Sequence, residues 1–277
     1  MGKAMRNPEE AVGGLHTILV LGDAFVDQYF IGTIRGMSAE APVPIVDVID
    51  TKEFPGGAWN VQDNLKALKV KAVAPLAGPG NIPIKNRLVT ESNLQLARWD
   101  ERDYCSPIRV KDIIPYLPGL EAVVVSDYRK GSITEDIEEF LLALELPLFV
   151  DTKSDPLPWF QGGDYVTLFP NTSEYMRYRS SYDWFPKVLL KRGPEGLAWL
   201  EYGRGIITRP SLAKEVVSVN GAGDTVLAAF VKAWLEDRNN LIGNIDFANM
   251  AAAVVVGKPY TSTVTVEEIR DSKNYVW

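Results

Sequence analysis

The run Asn220-Gly221-Ala222-Gly223-Asp224-Thr225 is the stretch of this sequence best suited to chemistry. It sits between a strand-like segment, residues 215–219, and an apolar segment, residues 223–235, that reads as a helix. Small residues where a helix begins leave backbone N–H groups free to close on an anion, and the helix dipole adds to the attraction. An aspartate in that place, Asp224, can take the proton from a hydroxyl that attacks a phosphate. The same turn could instead only bring a strand close to a helix, and a short glycine motif alone does not separate the two readings. Lys85, Arg87, Arg129 and Lys130 can neutralise a phosphate on a ligand, although cations on edge strands are usually just solvated. Asn171 and Glu174 can organise Mg²⁺ through water, because Mg²⁺ takes oxygen ligands and keeps much of its hydration shell. Their spacing is also that of a helix N-terminal capping box.

A chain of 277 residues is long enough for one large α/β domain to bury a continuous core. Its net charge of −7 argues against a grip on nucleic-acid backbone, which needs a basic face, so a small-molecule or protein partner is expected. Cys105 is the single cysteine; with no internal disulfide to form, nothing asks for an oxidising compartment, and the cytoplasm is expected. Residues 1–16 have no apolar stretch of signal-peptide length and read as a flexible tail, and Arg6 stands where a myristoylation motif needs Ser or Thr. Apolar runs such as residues 250–256 fall far short of the roughly 20 residues of a membrane span, so no membrane partner is expected.

The elements that must position the chemistry follow from periodicity. Ile18-Leu19-Val20-Leu21 before Gly22-Asp23 is a short apolar run closed by a turn, the pattern of a buried parallel strand. Residues 122–125, 148–150 and 188–190 repeat it and end in Ser126-Asp127, Asp151-Thr152-Lys153 and Lys191-Arg192. Ligands of an open parallel sheet bind beyond the carboxyl ends of its strands, so these polar tips are where chemistry should collect. Helical patterns intervene at residues 59–68, with Val61, Leu65 and Leu68 on one face, and at residues 134–144, where Thr134 and an acidic first turn precede Ile137, Phe140, Leu141 and Leu144. Residues 223–235 and 247–257 are apolar all round, as in helices packed tightly on a sheet. Two stretches, about 29–53 and 84–100, alternate polar and apolar residues and read as antiparallel strands outside the main sheet, a small lid. The Pro/Gly cluster over residues 75–83 reads as a loop, and one domain is expected over residues 17–277.

Gly221-Ala222-Gly223-Asp224 and the helix after it resemble the C-terminal signature of the ribokinase-like (PfkB) carbohydrate kinases, and Phe54-Pro55-Gly56-Gly57-Ala58-Trp59-Asn60 resembles their N-terminal one. Further stretches are similar to the heptose 7-phosphate kinase branch of that family. Gly22-Asp23-Ala24-Phe25-Val26-Asp27-Gln28-Tyr29 is similar to its Gly-Asp-x-x-x-Asp-x-Tyr, and Ser38-Ala39-Glu40-Ala41-Pro42-Val43-Pro44 to its lid segment. Lys85-Asn86-Arg87 and Gln95-Leu96-Ala97-Arg98-Trp99-Asp100 resemble two of its strands. Ser126-Asp127-Tyr128-Arg129-Lys130-Gly131, Asp151-Thr152-Lys153 and Pro170-Asn171-Thr172-Ser173-Glu174 resemble its remaining motifs, and the similarity runs from Ile18 to Ile269.

This resemblance implies an α/β ribokinase-like three-layer sandwich with a mostly parallel central sheet and a small β-lid. It implies an ATP- and Mg²⁺-dependent sugar kinase, which in this branch phosphorylates D-glycero-D-manno-heptose 7-phosphate at O1 for lipopolysaccharide-core biosynthesis. Asp224 would be the catalytic base, with Gly221, Ala222 and Gly223 as the anion hole. Asp23, Asp27, Gly56, Gly57, Asn60, Lys85, Arg87, Asp127 and Lys130 would meet the sugar phosphate, the glycines by admitting it to the backbone. Lys153, Asn171, Glu174, Lys191, Gly193, Gly196 and Asn249 would meet the nucleotide, and Asn171 and Glu174 would hold Mg²⁺ through water.

The chain departs from the family pattern in places. It runs through Gly78-Pro79-Gly80 to the lid strands where the family has a further βα unit, and Asn220 and Ser218 replace a Thr and an Asp, the latter associated with a monovalent-cation site. Lys258-Pro259-Tyr260-Thr261 replaces a Lys-x-Gly-Thr near the adenine pocket, and Gly36 replaces an arginine. A nucleotidyltransferase of the kind fused to some heptose kinases needs a His-x-Gly-His type motif; the single histidine is His16, in the tail, so that second activity is not expected. A kinase for another sugar, or a non-catalytic descendant that binds sugar or nucleotide, remains open. The apolar alternation at residues 42–49 leaves a strand edge, so a homodimer through the lid is expected.

Overall fold

The computed structural model describes residues 17–76 and 82–273. The tail over residues 1–16 and most of the loop expected at residues 75–83 lie outside them. In chain order the elements are β1 (Thr17–Gly22), β2 (Ala24–Met37), β3 (Pro44–Gly57), α1 (Ala58–Ala67), β4 (Ala72–Leu76), β5 (Ile84–Thr90) and β6 (Gln95–Glu101). There follow α2 (Val110–Ile113), β7 (Leu120–Asp127), α3 (Glu135–Leu142), β8 (Leu148–Thr152), β9 (Val166–Leu168), α4 (Thr172–Arg177) and α5 (Arg179–Tyr182). The chain continues through β10 (Lys187–Lys191), β11 (Leu197–Glu201), β12 (Gly205–Arg209), α6 (Ala222–Glu236), α7 (Leu241–Val256) and α8 (Val266–Lys273).

The main sheet has the order β12-β11-β10-β9-β8-β7-β1-β4, parallel from β4 to β10 and antiparallel through β11 and β12. Successive side chains of a strand point to opposite faces, and both faces here are covered by helices, which is why its strands read as unbroken apolar runs. Ile18 and Val20 of β1 and Ala122 and Val124 of β7 pack with α1, α6, α7 and α8. Leu19, Leu21, Val123 and Val125 pack on the other side with α3 and the segment around Trp159. The result is three layers. Phe230 on α6 anchors the first core, in contact with the rings of Phe149, Phe169 and Trp199; burying one such ring contributes roughly 1.5–3 kcal/mol. Because β1, β7, β8 and β10 run the same way, Gly22, Asp127, Thr152 and Lys191 finish on one edge of the sheet.

A second sheet, in the order β3-β2-β5-β6, stands beyond that edge. Its strands were read from sequence as antiparallel, but β2 pairs with β5 in parallel, while β2–β3 and β5–β6 are antiparallel. The reason is the connection: after β3 the chain passes through α1 and β4 in the main sheet, and returns to β5 travelling in the direction of β2. β2 also begins at Ala24, one residue after β1 ends, so Asp23 is the joint between the two sheets. Gly22 makes the joint feasible, with φ +137° and a site where a Cβ would lie 2.0 Å from the Ser126 carbonyl oxygen.

Two sequence expectations give way. Residues 215–219 form no strand; the N–H groups of Val217 and Ser218 both donate to the carbonyl of Val256 at the end of α7, and the exposed Val216 and Val219 line a cavity beside that helix end. With the sheet already closed by the β11–β12 hairpin, that segment has a helix end, not a strand, to satisfy its backbone. α7 begins at Leu241 rather than near residue 247, because the Asn240 side chain accepts the N–H of Gly243 as an N-cap. Among the described residues no helix is long and apolar enough to cross a membrane.

Candidate active site

A cavity of about 870 Å³ runs from the inner face of the second sheet, across the carboxyl edge of the main sheet, to the flank of α7. Asp224 lies on its wall in the first turn of α6. The helix is entered through Gly221 in the left-handed conformation (φ 76°), where a Cβ would come 2.6 Å from Asn60 Nδ2. Asn60 Nδ2 donates to Asp224 Oδ2 (2.8 Å) and the Tyr128 hydroxyl donates to Oδ1 (3.0 Å). Burial pushes the carboxyl up to about 6, against the pull of the Asn60 hydrogen bond, Lys191 and the Tyr128 hydrogen bond, with Asp151 adding to the rise. It is therefore mostly ionised at neutral pH, and close enough to neutrality to accept a proton.

Asn60, expected to touch a ligand, is turned away from the cavity. Its carbonyl groups accept from Asn64 Nδ2 (2.9 and 3.1 Å), and Asn64 Oδ1 accepts from the Thr225 hydroxyl (3.0 Å). It serves as the inner support of Asp224. Gly56 and Gly57 also lie behind the wall: a Cβ on Gly56 would fall 2.2 Å from the Phe25 ring, and one on Gly57 2.1 Å from the Asp23 carbonyl oxygen. In this structure the room they leave is taken by Phe25 and by β2.

Asp23 and Asp127 depart furthest from their sequence assignment. Asp23 is fully buried, and its carboxylate accepts the backbone N–H groups of Tyr128 (2.8 Å), Lys130 (2.9 Å) and Ser132 (3.0 Å). Asp127 accepts from the N–H of Arg129 (2.8 Å) and the hydroxyl of Thr152 (2.5 Å), and burial raises its carboxyl above the ordinary value. Neither lines the cavity; both shape the loop that does.

At the lid end, Asp27, Lys85, Arg87 and Lys130 do reach the wall. Asp27 pairs with Arg87 and accepts from the Thr261 hydroxyl (3.1 Å), which in turn contacts Tyr29 OH (3.1 Å), itself an acceptor for Asn220 Nδ2 (3.0 Å). Lys130 is paired with Asp103, and Arg98 with Asp100. Lys85 has no such ion pair among the described residues: its ammonium lies 3.4 Å from the centroid of the Phe25 ring and 4.4 Å from that of Tyr128. Burial lowers it to about 7, Asp27 opposing.

At the far end the anion-binding features converge. Lys191 at the tip of β10 pairs with Asp151 and lies beside the start of α6, where a Cβ on Gly223 would come 3.3 Å from its Nζ. Lys153 Nζ donates to Glu174 Oε1 (2.9 Å), and Asn171 and Glu174 form a reciprocal capping box at the start of α4. Gly193 and Gly196 have positive φ (57° and 84°), and a Cβ on Gly196 would strike the Arg209 carbonyl at 2.1 Å. Asn249 Nδ2 donates to the Pro210 carbonyl (2.8 Å), tying α7 to the segment after β12. Lys191, Asp151, Gly223, Lys153, Asn171, Gly193, Gly196 and Asn249 lie on the cavity wall, and Glu174 does not. Arg129, in the left-handed conformation (φ 59°), does not.

Tyr128, Arg98, Asp100, Asp103, Asp151 and Asn64 belong to the site or its support but received no role from the sequence. Tyr128 and Asp151 stand in runs already picked out, Ser126-Asp127-Tyr128 and Asp151-Thr152-Lys153, and the position beyond a strand tip was the available signal. Asp103 had none, since its pairing with Lys130 depends on where the chain turns after β6.

The family model for pfkB family carbohydrate kinases matches residues 181–268. The bifunctional protein HldE of Pectobacterium atrosepticum is 32% identical over 303 residues, covering 92% of this chain and 63% of that protein. HldE of Nitrosococcus oceani is 30% identical over 302 residues with the same coverage, so the chain spans less than two thirds of these relatives' length. Among solved structures, a ribokinase of Arabidopsis thaliana complexed with ribose and ATP superposes with a TM-score of 0.71 at 17% identity, covering 92% of this chain and 97% of that one. Ribokinase of Thermotoga maritima gives 0.71 at 15% identity over 93% and 99%. The latter two share the fold.

Because Asp23 bonds three buried amides, Asp23→Ala should destabilise the protein by about 3 kcal/mol or more, at roughly 1–3 kcal/mol for each donor left unpaired. Urea unfolding measures this, and a midpoint unchanged from the parent protein would contradict the anchoring role.

Proposed function

We propose that this chain is a carbohydrate kinase of the pfkB family and moves the γ-phosphoryl group of ATP to a hydroxyl of a sugar that already bears a phosphate. D-glycero-D-manno-heptose 7-phosphate, accepting at O1 to give the 1,7-bisphosphate, is the first substrate to test. The observation that carries the reading is Asp224, a buried carboxylate held by two donors at the N-terminus of α6 and open to the cavity. An acceptor hydroxyl there would lose its proton to Asp224 as its oxygen attacks the γ-phosphorus and ADP leaves. The N–H groups of residues 221–223, the dipole of α6 and Lys191 would stabilise the charge on the phosphoryl group in flight. Lys153 would face the same phosphates, and Gly193, Gly196 and Asn249 would border the nucleoside.

Magnesium fits a water-mediated role. Asn171 reaches the cavity wall, and behind it each oxygen of Glu174 accepts one hydrogen bond while keeping a lone pair for water. Asn171 and Glu174 would hold the hydrated ion, whose charge offsets that of the nucleotide phosphates.

The phosphate on the acceptor is supported by charge. Among the described residues six cations line the cavity, and five are paired with a carboxylate: Arg87 with Asp27, Arg98 with Asp100, Lys130 with Asp103, Lys153 with Glu174 and Lys191 with Asp151. Of these six, Lys85 alone is in no ion pair among the described residues: its ammonium lies against two aromatic rings, with Asp27 and Asp224 near enough to favour its charge but not bonded to it. A buried ammonium without an anion is costly, and a phosphate on the sugar would complete it.

Asp224→Asn should lower kcat by about 10²–10⁴-fold with nucleotide affinity changed less than a few-fold, since the new amide can still bond both neighbours. For the parent protein, kcat/KM should fall as pH drops through about 6, where Asp224 takes up a proton. Full turnover in the variant would remove the catalytic assignment.

Lys85→Met should raise KM for the sugar phosphate roughly 10–150-fold while KM for ATP stays nearly constant, the worth of one charge-assisted bond. Equal effects on both substrates, or equal turnover of the unphosphorylated sugar by the parent protein, would count against an anionic acceptor.

The lid also supports a homodimer: β3 is an edge strand, and Ile34, Val48 and Ile49 are half or more exposed. Light scattering at micromolar concentration should give twice the chain mass, and a strict monomer would refute it.

A further inference from the structure

The sequence motifs leave Tyr128 without a task, yet it lies on the cavity wall beside Asp224. We propose that Tyr128 is a positioning residue whose hydroxyl keeps Asp224 ionised and aimed at the acceptor, an inference that rests on the kinase reading above. Asp224 is gripped from two sides. Asn60 reaches Oδ2 from α1, behind the wall, whereas Tyr128 reaches Oδ1 from the loop after β7, on the wall itself. A carboxylate offers about four lone-pair sites, so the two donors fix its plane and leave acceptor capacity for a substrate hydroxyl.

The ring is as constrained as the hydroxyl. Its backbone N–H is bonded to Asp23 (2.8 Å), and the ring packs edge-on to Phe25 with centroids 5.0 Å apart. Lys85, from the lid, and Lys153, beyond β8, each place an ammonium 4.4 Å from its centroid. Tyr128 thus touches a cation on the acceptor side and one on the nucleotide side while holding the base between them.

The groups that set the charge of Asp224 come from every element around it: Asn60 on α1, Tyr128 after β7, Asp151 on β8, Lys153 beyond it, Lys191 on β10 and Lys85 on β5. Burial and Asp151 favour the neutral acid; the two hydrogen-bond donors and Lys191 favour the anion. Burial first, then Asp224 and Asp151, push the Tyr128 phenol well above its usual value, so it stays a donor over the working pH range. During transfer the acceptor O–H bond breaks, its proton passes to Asp224, the new O–P bond forms as the bond to ADP breaks, and the Tyr128 proton stays where it is.

Tyr128→Phe isolates this role, because the ring and its contacts with Phe25, Lys85 and Lys153 remain while one donor to Asp224 is lost. Loss of a bond to the charged form raises a carboxyl pKa, so the acidic limb of the kcat/KM profile should move up by about one pH unit, with most of the rate recovered above it. A rate loss uniform across pH, or an unmoved limb, would overturn the proposal. The titration of Asp224 read by carboxyl ¹³C NMR, assigned with Asp224→Asn, gives a readout independent of turnover. A midpoint that rises in Tyr128→Phe supports the positioning role even if no sugar is phosphorylated, an outcome that refutes the kinase reading alone. An unmoved midpoint in a variant that still turns over refutes the role of Tyr128 and leaves the kinase reading intact.

Discussion

The arrangement of the cavity hangs on the carboxylate of Asp23. Its backbone N–H donates to the Ser126 carbonyl and its own carbonyl accepts from the N–H of Ala58, which fastens β1, β7 and the start of α1 at one point. Its side chain then draws in the amides of Tyr128, Lys130 and Ser132. Three amide hydrogen bonds converging on one carboxyl group are directional, and a fully buried group cannot exchange those partners for water. The loop that carries the Tyr128 ring and the Lys130 ammonium is therefore fixed relative to the sheet before any ligand arrives. Preorganisation of this kind is what lets dipoles and charges act without first reorganising.

Around that anchor the site concentrates charged side chains on one cavity wall. Buried ion pairs add little net stability, because desolvation offsets their attraction, but they hold side chains in definite places. The pairs of Arg87 with Asp27 and Lys191 with Asp151 are nearly buried and mark the two ends of the cavity. Between them Asp224 and Lys85 are displaced from their ordinary ionisation by burial, the carboxyl upward and the ammonium downward. Two groups brought towards neutrality from opposite sides, in one cavity, fit proton transfer next to the recognition of an anion.

The second sheet is also tied to the approach of α6. Arg87, Asp27, Thr261, Tyr29 and Asn220 form a chain of ion pair and hydrogen bonds from β5 to the residue that precedes the Gly221-Ala222-Gly223 turn. Tyr260, with φ 60°, stands where the family pattern has glycine, and its ring stacks on Phe54 of the lid (5.5 Å) and meets Tyr29 edge-on (5.1 Å). A left-handed tyrosine is an uncommon conformation, and ring packing is the compensation visible here.

A resemblance to a known kinase family implied the three-layer class, while the sequence by itself marked the main parallel strands β1, β7, β8 and β10, several of the helices that cover them and the clustering of polar residues at strand tips. These follow from local pattern: apolar runs mark doubly covered strands, and Gly221-Ala222-Gly223-Asp224 marks a helix entry with a carboxylate in its first turn. It also drew attention to Asp23, Asn60 and Asp127 without revealing that they face inward. That distinction depends on contacts with distant chain: the amides bound by Asp23 lie 105 to 109 residues away, and Asp224 lies 164 residues from Asn60. Whether a carboxylate meets a ligand or a backbone amide is set by which segment returns to it, and the same holds for Lys85, whose lack of an anion appears only once every other cation on the wall has found one. Tertiary structure alone decided those pairings, because burial and partner choice belong to the packed whole and leave no periodic trace in the chain.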